Sequence, residues 1–547
     1  MKPVLIIGAG IAGLTAAITL AEHGRKSILI APMPSERAQS VMAEGGINAA
    51  LDTKGQQDTV EEHFRDTMAA GCDLADPNAV RALTQHAPET VTWLAGLGVA
   101  FNRTESGALD LRYFGGQKKQ RTAFAQSSTG KQVTSALIQE ARRWENEGWI
   151  TRRSHHRMTE LIMENGCCGC ILMDTRTGAW ETLNGPVLLA CGGLNGLFGK
   201  TTGTLQNTGA AAAAAFAAGA AIGNLEMIQY HPTTVALSGK RALISEAARG
   251  EGGRLYIPRD GQRWYYMEEK YPELKNLMPR DVVARETEQV CRENHISAAF
   301  LDLTGIAPAV FDRKLEGLRS FCLEFLHLDP EKEPIPVYPG IHYFMGGLYV
   351  DAAHRTTLPG LYAAGECACQ YHGPNRLGGN SLLGAAFGGR RAAQTLLDAP
   401  DVPDVDPAAA LRRWQDLLKV REERRNSVSC TALREDMMQV LKDCMGIRRT
   451  AQSLEDGAQQ LRMLRIQLLH GRDSTAAAEE QLELERRSAL ALAMVESALA
   501  RQESRGAHFR TDFPARDDAR FRKTTVARWE HDAPLITLCK IAGEGQR

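Results

Sequence analysis

The sequence lacks the features that mark membrane-spanning, nucleic-acid-binding and disulfide-stabilised proteins. Its 547 residues contain no apolar run of about 18 or more, so no membrane-spanning helix is expected. Neither sign of charge prevails, since 64 Lys and Arg face 65 Asp and Glu, which argues against a polybasic nucleic-acid binder. The twelve cysteines are scattered, and the one cluster, at 167–170, has no second cluster to complete a metal site. Scattered free thiols predict a reducing, cytoplasmic environment.

The remaining composition is that of a globular protein with several domains. Apolar residues make up 44% and charged residues 24%, and the chain is several times longer than one compact core requires. Strand–glycine–helix patterns fill the first part and return after residue 345, whereas 228–345 lacks that rhythm and indicates an inserted domain. A linker is predicted at 399–407 and a helical bundle at 408–500, followed by charged, irregular residues.

Local patterns predict the individual elements. Val4–Ile7 is an apolar run of the kind that a parallel strand buried on both faces needs. A helix over 14–23 and a strand over 27–30 complete a βαβ unit. Further helices are predicted at Val60–Ala70, 80–94, 209–221 and 381–397, and strands at 161–174, 181–189 and 361–364.

A glycine motif joins the first strand to the first helix. Gly8 permits a tight turn, Gly10 lets the backbone approach a pyrophosphate, and Gly13 lets the helix pack on the strand, which together indicate dinucleotide binding. The helix N-terminus supplies free N–H groups and partial positive charge for the phosphates. The acidic residue that usually ends the second strand is replaced by Ala31-Pro32, so the ribose must be held in another way and NAD is disfavoured.

Seven further segments point together to one family. They are Ser40-Val-Met-Ala-Glu44-Gly45-Gly46-Ile-Asn48, Phe114-Gly-Gly-Gln117, Gln229-Tyr-His231-Pro-Thr, Ser245-Glu246-Ala-Ala-Arg249-Gly-Glu-Gly-Gly253, Pro279-Arg280-Asp281-Val-Val-Ala-Arg285, His342-Tyr-Phe-Met-Gly-Gly347 and His372-Gly-Pro-Asn-Arg376-Leu-Gly-Gly-Asn380-Ser381-Leu382. With these segments the chain resembles the flavoprotein subunit of fumarate reductase and succinate dehydrogenase, a family that includes L-aspartate oxidase. The resemblance extends from residue 4 to about residue 515.

The resemblance implies a fold and a cofactor. The fold is an α/β, Rossmann-type FAD-binding domain with an inserted α+β capping domain and a C-terminal helical domain. On this chain the FAD-binding domain takes 1–227 and 346–398, the capping domain 228–345 and the helical domain 408–547. No metal site is expected. The positions that match the family's FAD contacts are Gly8, Gly10, Gly13, Ser40, Gly45, Gly46, Gly192, Glu366, Ser381 and Leu382.

The resemblance also implies a site for fumarate, succinate or a related dicarboxylate. It places Arg376 as a bidentate clamp on a carboxylate and Arg280 as the proton donor. Glu246 and Arg249 are three residues apart, consistent with one helical face, and match the family's relay that reprotonates the donor. The side chains placed around the substrate are His231, Ser245, His342 and Phe114. Ser245 replaces the more usual Thr and keeps its hydroxyl.

Taken singly, these residues have plainer interpretations. His231 before a proline is typical of a structural turn, and Arg280 and Arg285 are typical of a solvated helix start. Their occurrence together with His342 and Arg376, in the family's order, favours the functional interpretation.

Two positions depart from the family's pattern. Membrane-bound members join a histidine covalently to the flavin, and Gln39 stands at the matching position, with no histidine between His23 and His63. FAD is therefore expected to be bound non-covalently, as in family members that act as reductases or oxidases. The family's Thr-Gly-Asp-Gly run is Thr208-Gly209-Ala210-Ala211 here, which removes a carboxylate from the flavin pocket.

Three functions compete. The leading prediction is reduction of fumarate to succinate with electrons from an iron–sulfur partner subunit, because the chain has no closely spaced cysteine ligand set of its own. L-Aspartate oxidase is the second, disfavoured by Phe114, where that enzyme typically has Glu, and by the run Leu377-Gly-Gly-Asn380. A non-enzymatic flavoprotein scaffold is the third, and the intact Arg280 argues against it. We expect a cytoplasmic chain, either free or held at the inner face of the cell membrane through partner subunits.

Overall fold

The computed structural model describes residues 1–541. Up to residue 227 its elements are β1 (Val4–Ile7), α1 (Ile11–Glu22), β2 (Ser27–Ala31), β3 (Ile47–Asn48), α2 (Val60–Ala70), α3 (Pro77–Gln85), α4 (Ala87–Gly96), β4 (Leu111–Arg112), β5 (Thr122–Ala123), α5 (Thr129–Asn146), β6 (Ile150–Ser154), β7 (His156–Met163), β8 (Cys167–Asp174), β9 (Trp180–Asn184), β10 (Val187–Leu189), α6 (Ala210–Ala217) and β11 (Ile222–Gly223).

The remaining elements follow in two groups. Residues 228–345 contain β12 (Ile228–Leu237), β13 (Lys240–Leu243), α7 (Glu246–Gly250), β14 (Arg254–Arg259), β15 (Gln262–Trp264), α8 (Tyr266–Lys270), α9 (Arg280–Glu293), β16 (Ala299–Asp302), α10 (Pro308–Val310), α11 (Glu316–Phe321) and β17 (Ile335–Phe344). After them come β18 (Gly347–Tyr349), β19 (Leu361–Ala363), β20 (Ala368–Cys369), α12 (Asn380–Leu397), α13 (Pro407–Glu422), β21 (Asn426–Ser427), α14 (Cys430–Cys444), β22 (Arg448–Arg449), α15 (Ala451–His470), β23 (Gly471–Arg472), α16 (Ala478–Ala500), β24 (Phe509–Arg510), α17 (Asp518–Phe521), β25 (Thr524–Glu530) and β26 (Ala533–Cys539).

A parallel sheet with the order β19-β10-β1-β2-β6 forms the centre of the α/β part of the structure. Alternate residues of β1 enter two different cores, Val4 and Ile6 on one face and Leu5 and Ile7 on the other. This two-sided burial is the reason that the strand reads as an unbroken apolar run. Helix α1 follows β1 directly and packs against α12 and α5. The predicted βαβ unit is confirmed.

A second, antiparallel sheet has the order β13-β12-β17-β16-β14-β15. All six strands lie within residues 228–344, and α9 packs against β12 and β17. This sheet explains why the strand–glycine–helix pattern is missing from residues 228–345. The domain limits themselves stay predictions. Every helix in the described chain falls short of the length and apolar character that a membrane crossing needs.

The end of the chain differs from the sequence expectation. Helices α13–α16 occupy the part in which helical periodicity was expected, but Thr524–Glu530 and Ala533–Cys539 are not irregular. They form a hairpin that extends the sheet β20-β18-β11-β25-β26 through pairing with β11. Strand β26 is largely exposed, with alternating burial, so its sequence lacks the continuous apolar run of a buried strand.

Three local boundaries also differ. The helix expected over 80–94 is two helices, because the chain bends at His86 and Pro88 begins the first turn of α4. The alanine helix ends at Ala217 instead of 221, just before Gly219 with its φ of 97°. The strand expected over 181–189 is divided at Gly185, so that β9 pairs with β8 and β10 joins the central sheet.

Candidate active site

One cavity of about 460 Å³ connects the glycine loop of the central sheet with the six-stranded sheet. Its lining comes from the loop after β1, the carboxyl ends of β2 and β10, and residues of β12, α7, α9 and β17. A cleft at the carboxyl ends of parallel strands is where open α/β sheets bind nucleotides. The same cavity therefore has a nucleotide end and, at the second sheet, an end lined by titratable side chains.

The nucleotide end has the geometry that a pyrophosphate requires. Gly8 has a φ of 119°, and a Cβ atom there would lie 2.1 Å from the carbonyl oxygen of Ala190. Gly10 is the N-cap of α1 and provides no side-chain cap, so N–H groups of the first turn stay open to a ligand. The Ser40 hydroxyl accepts a hydrogen bond from Ile11 N at 3.2 Å. These features fit the phosphates of FAD.

Nearly all predicted FAD residues line this cavity. Gly13 does not, because it packs on the loop instead, where an added Cβ would lie 1.9 Å from the Gly8 oxygen. Glu366 is half-buried and accepts the Phe344 N–H at 3.0 Å. Burial raises the pKa of Glu366 to about 7, against the opposing effect of Phe344 N–H and Arg376. The members that do line the cavity are Gly8, Gly10, Ser40, Gly45, Gly46, Gly192, Glu366, Ser381 and Leu382.

Two histidines face each other at the other end of the cavity. The rings of His231 and His342 lie 5.2 Å apart, and His231 Nε2 has no hydrogen-bond partner among the described residues. Burial lowers the pKa of both side chains well below the usual value, and the neighbouring Arg280 lowers it further. Both imidazoles are therefore neutral at physiological pH, so each can offer a hydrogen bond without carrying charge.

Arg376 is a buried cation without a carboxylate partner among residues 1–541. Its side chain is 2% exposed, its Nε has no hydrogen-bond partner, and Nη1 reaches only the Leu377 oxygen at 3.5 Å. The guanidinium lies over the Tyr343 ring, 4.5 Å from its centroid. Burial and the charge of Arg280 lower the pKa of Arg376 to about 9. An anion in the cavity would supply the missing partner.

Arg280, Glu246 and Arg249 form a continuous buried chain. Arg280 Nη2 donates to Glu246 Oε2 at 2.6 Å, and Arg249 Nη2 donates to Glu246 Oε1 at 3.0 Å. Burial opposes ionisation of Glu246, but the charges of Arg280 and Arg249 outweigh it and lower its pKa to about 2. Arg280 and Glu246 line the cavity, whereas Arg249 lies behind them and donates to Asn276 O at 2.7 Å.

The short helix α7 explains why three site residues come together. Ser245 is its N-cap and accepts the Ala247 N–H, which leaves the hydroxyl proton of Ser245 free to donate into the cavity. Glu246 and Arg249 follow on the same face of the helix, as their spacing predicts. The N-cap and the first residue of this helix thus present a hydroxyl and a carboxylate to one end of the cavity, and Arg249 holds the carboxylate from behind.

Phe114 forms an apolar wall between the two ends. Its side chain is 2% exposed and lines the cavity. A Cβ atom on Gly45 would lie 3.0 Å from Phe114 Cζ, and one on Gly378 would lie 3.0 Å from Phe114 Cβ. The ring therefore fills the space between two backbone segments and presents no hydrogen-bonding group to a ligand.

Two side chains at the site escaped the sequence prediction. Gln229 Oε1 accepts from Arg280 Nη1 at 3.2 Å while its Nε2 donates to Arg376 O at 2.9 Å, so one amide links the two arginine segments. The Thr202 hydroxyl lies 2.8 Å from His342 Nδ1. Gln229 could have been found, because it stands in the same short motif as His231. Thr202 has no such signal in the sequence.

Comparison with known proteins agrees with this geometry. The family model for the FAD binding domain matches residues 3–382. The family model for the fumarate reductase flavoprotein C-terminal domain matches residues 434–541. The succinate dehydrogenase flavoprotein subunit of Bacillus subtilis is 36% identical over 96% of this chain and 93% of its own length. The chain belongs to the flavoprotein family of succinate dehydrogenase and fumarate reductase. It is an FAD-dependent oxidoreductase of that type.

Other family members are similar over comparable lengths. L-Aspartate oxidase 1 of Ralstonia nicotianae is 34% identical over 93% of this chain and 95% of its own length. The solved structure of Escherichia coli quinol fumarate reductase superposes with a TM-score of 0.90 at 29% identity, covering 99% of this chain and 96% of that one. The family thus includes relatives named for different reactions, and the choice among them depends on the site.

Proposed function

We propose that this flavoprotein reduces fumarate, or a closely related unsaturated dicarboxylate, to succinate or its analogue. The buried chain Arg280–Glu246–Arg249, which ends in the cavity beside the unpaired Arg376, is the observation that carries the proposal. Adding hydrogen across a C=C bond needs a hydride on one carbon and a proton on the other. Bound FAD would supply the hydride from N5 once it has been reduced by an external electron donor. The protein must supply the proton and hold both carboxylates.

Substrate binding follows from the unsatisfied donors at the cavity end. Arg376 grips one carboxylate through two N–H groups, because no carboxylate of residues 1–541 pairs with it. The Ser245 hydroxyl donates to a substrate oxygen, and His231 does so from Nε2 in the tautomer whose Nδ1 accepts the Thr233 N–H. In the tautomer that carries the proton on Nε2, His342 accepts from the Thr202 hydroxyl through Nδ1 and can donate to the substrate.

Arg280 is the proposed proton donor. Its Nε and Nη2 are engaged by Glu246 and its Nη1 by Gln229, which fixes the guanidinium plane at the cavity wall. An arginine has a solution pKa above about 12, so it acts as an acid only in a dry, positively charged site that returns the proton quickly. Glu246 and Arg249 are placed to return it, since they connect Arg280 to Asn276 away from the cavity.

Gln39 supports a non-covalently bound FAD. It stands at the position of the tethering histidine and lines the cavity, where its Oε1 accepts the Thr204 N–H at 2.7 Å. An amide cannot form the covalent link to the flavin. We further propose that electrons arrive from an iron–sulfur partner subunit, because no cluster of metal-binding side chains occurs in the described part of the chain.

The test is a steady-state assay of the purified protein with three substrates. Fumarate with a reduced viologen, succinate with an artificial acceptor and L-aspartate with oxygen distinguish the reductase, the dehydrogenase and the oxidase. We expect fumarate to be the best substrate and L-aspartate to be turned over poorly, because Phe114 presents no acceptor to an ammonium group. Faster turnover of L-aspartate would assign the chain to the oxidases.

The variant Arg376→Gln tests whether Arg376 binds a carboxylate of the substrate. Arg376→Gln should raise KM for fumarate by about tenfold or more, because a bidentate ion pair is lost, and should affect kcat less. Arg355→Gln is the matched control, since that side chain is 60% exposed and pairs only with Asp351. An unchanged KM in Arg376→Gln would contradict the clamp.

A further inference from the structure

The nucleotide end of the cavity lacks the carboxylates that its sequence context predicts. Ala31 ends β2 and Ala210 begins α6, and both line the cavity without offering an acceptor. A bound dinucleotide presents ribose hydroxyls at the end of the second strand, and these are usually held by an acidic side chain. The structure must therefore supply that acceptor from another segment.

Four glutamates of the described chain line this cavity, and three are accounted for elsewhere. Glu246 is paired with Arg280 at the substrate end. Glu366 accepts the Phe344 N–H. The charge of Arg112 acts on the carboxyl group of Glu44, and Arg112 itself lies over the Phe114 ring. The fourth, Glu483, belongs to α16, far along the chain from the glycine loop.

The packing of four elements brings Glu483 to the nucleotide end. Strand β7 lies against β2, and α6 packs on both β7 and α16. The cavity lining accordingly includes Ala31 and Pro32 after β2, His156–Met158 of β7, and Ala210 of α6 together with Glu483. One carboxylate from the C-terminal helices thus occupies the region in which both expected carboxylates are missing.

The Glu483 side chain is held in place but keeps free acceptor capacity. Arg157 Nη1 contacts its Oε2 at 3.0 Å, and Arg487 Nη1 lies 3.6 Å from its Oε1. The side chain is 22% exposed, so the carboxylate is reachable from the cavity. A carboxylate has about four lone-pair positions, and two cations use only part of them. The remaining positions can receive two neighbouring hydroxyls.

We propose that Glu483 accepts hydrogen bonds from the ribose hydroxyls of the adenosine half of FAD. It replaces the carboxylates absent at Ala31 and Ala210, and Arg157 orients it. A helix outside the central fold then takes part directly in cofactor binding. This inference rests on the proposed non-covalent FAD, because its test compares equilibrium binding of the cofactor.

The test measures FAD affinity and does not use turnover. Apoprotein is prepared from the purified full chain, and FAD is titrated while flavin fluorescence is followed. Glu483→Gln should raise the Kd for FAD by about tenfold, as expected when a hydrogen bond to a charged group is weakened. Glu480→Gln is the matched control, because Glu480 lies one turn earlier on α16 and is exposed. Its Kd should equal that of the wild type.

An FAD analogue with a 2′,3′-dideoxyadenosine half identifies the contact. The wild type should bind this analogue about tenfold more weakly than FAD, whereas Glu483→Gln should bind the two about equally. Equal affinity of the wild type for both cofactors would overturn the proposal without any variant. An equal loss of affinity for the analogue in the wild type and in Glu483→Gln would also overturn it. A covalently attached flavin would be recognised separately, since the wild type itself would then yield no apoprotein.

Discussion

Arg280 and Arg376 are the same residue type in one cavity, and their contacts give them different tasks. Arg280 is held by Glu246 and Gln229 on three of its nitrogens, whereas Arg376 has no carboxylate partner among residues 1–541. A paired guanidinium can pass a proton along its partner, and an unpaired one can bind an anion. The resemblance to the family predicted both residues. Gln229 stands in the same short motif as His231, but its contact with Arg280 could not be predicted, because it arises only when β12 meets α9.

Replacing Arg280 should affect chemistry more than binding. Arg280→Lys keeps the charge but shortens the donor and loses the two-nitrogen contact with Glu246. We expect kcat for fumarate reduction to fall by at least about a hundredfold, the lower range for general acid–base catalysis, with a smaller change in KM. Steady-state kinetics at saturating fumarate measure this directly.

The control for this variant lies on the same helix. Arg285 is on α9 and stacks over Phe509 at 4.9 Å, away from the cavity lining, so Arg285→Lys should keep kcat near the wild-type value. FAD content should be normal in both variants, because Arg280 contacts none of the glycines at the nucleotide end. A near-normal kcat in Arg280→Lys would transfer the acid role to another group, with His342 the next candidate.

Gln39 predicts how the flavin leaves the protein. Because an amide cannot form the covalent bond made by a histidine, acid precipitation of the holoenzyme should leave the yellow flavin in the supernatant. The measurement is flavin absorbance in the supernatant and in the pellet. Flavin fluorescence that migrates with the denatured polypeptide on a gel would show a covalent link and refute the prediction.

Elements were predictable where one face or both faces are buried, and less so where exposure alternates. The strand β1 and the helix α12 follow continuous or periodic apolar patterns and lie where expected. The hairpin β25–β26 was not predicted, because its second strand alternates exposed with half-buried residues and has no continuous apolar run. Its position is determined by partners distant in sequence, namely β11 and the buried Glu226.

An ion-pair cluster beside this hairpin should be essential to stability. Arg501 and Glu226 are fully buried and paired at 2.8 Å, and Arg501 also contacts Glu503 at 2.9 Å and the Thr525 hydroxyl at 2.7 Å. Arg501→Ala leaves the buried carboxylate of Glu226 without its cation, whereas Glu503 keeps Arg505. The free energy of unfolding should therefore decrease by about 3–5 kcal/mol, measured by urea denaturation of the holoenzyme.

An exposed pair provides the comparison for Arg501. Arg520 is 64% exposed and contacts Asp517 at 2.6 Å, a distance as short as those in the buried cluster. Arg520→Ala should leave the urea midpoint nearly unchanged, because solvent screens such pairs. Equal destabilisation by the two substitutions would mean that burial is not the source of the Arg501 effect.

At the scale of the whole molecule, one cavity collects residues from segments that are far apart in sequence. The glycine loop after β1, the sheet of residues 228–344 and the helix α16 all reach it. The sequence could predict which segments carry chemistry, because motifs are local. It could not predict that Glu483 reaches the nucleotide end, since this depends on how α16 packs on α6. All major parts of the chain therefore contribute to the wall of this cavity.

The direction of catalysis is a property of this whole assembly. In the tethered members the covalent bond raises the reduction potential of the flavin, and with Gln39 in that position the potential should stay low. A low potential favours electron transfer from the flavin to fumarate over electron withdrawal from succinate. We expect fumarate reduction with a reduced viologen to be faster than succinate oxidation with an artificial acceptor, at the same pH, temperature and flavin occupancy. Faster succinate oxidation under those conditions would contradict the inference that Gln39 indicates a reductase. It would not affect the proposed substrate class or the proposed roles of Arg280 and Arg376.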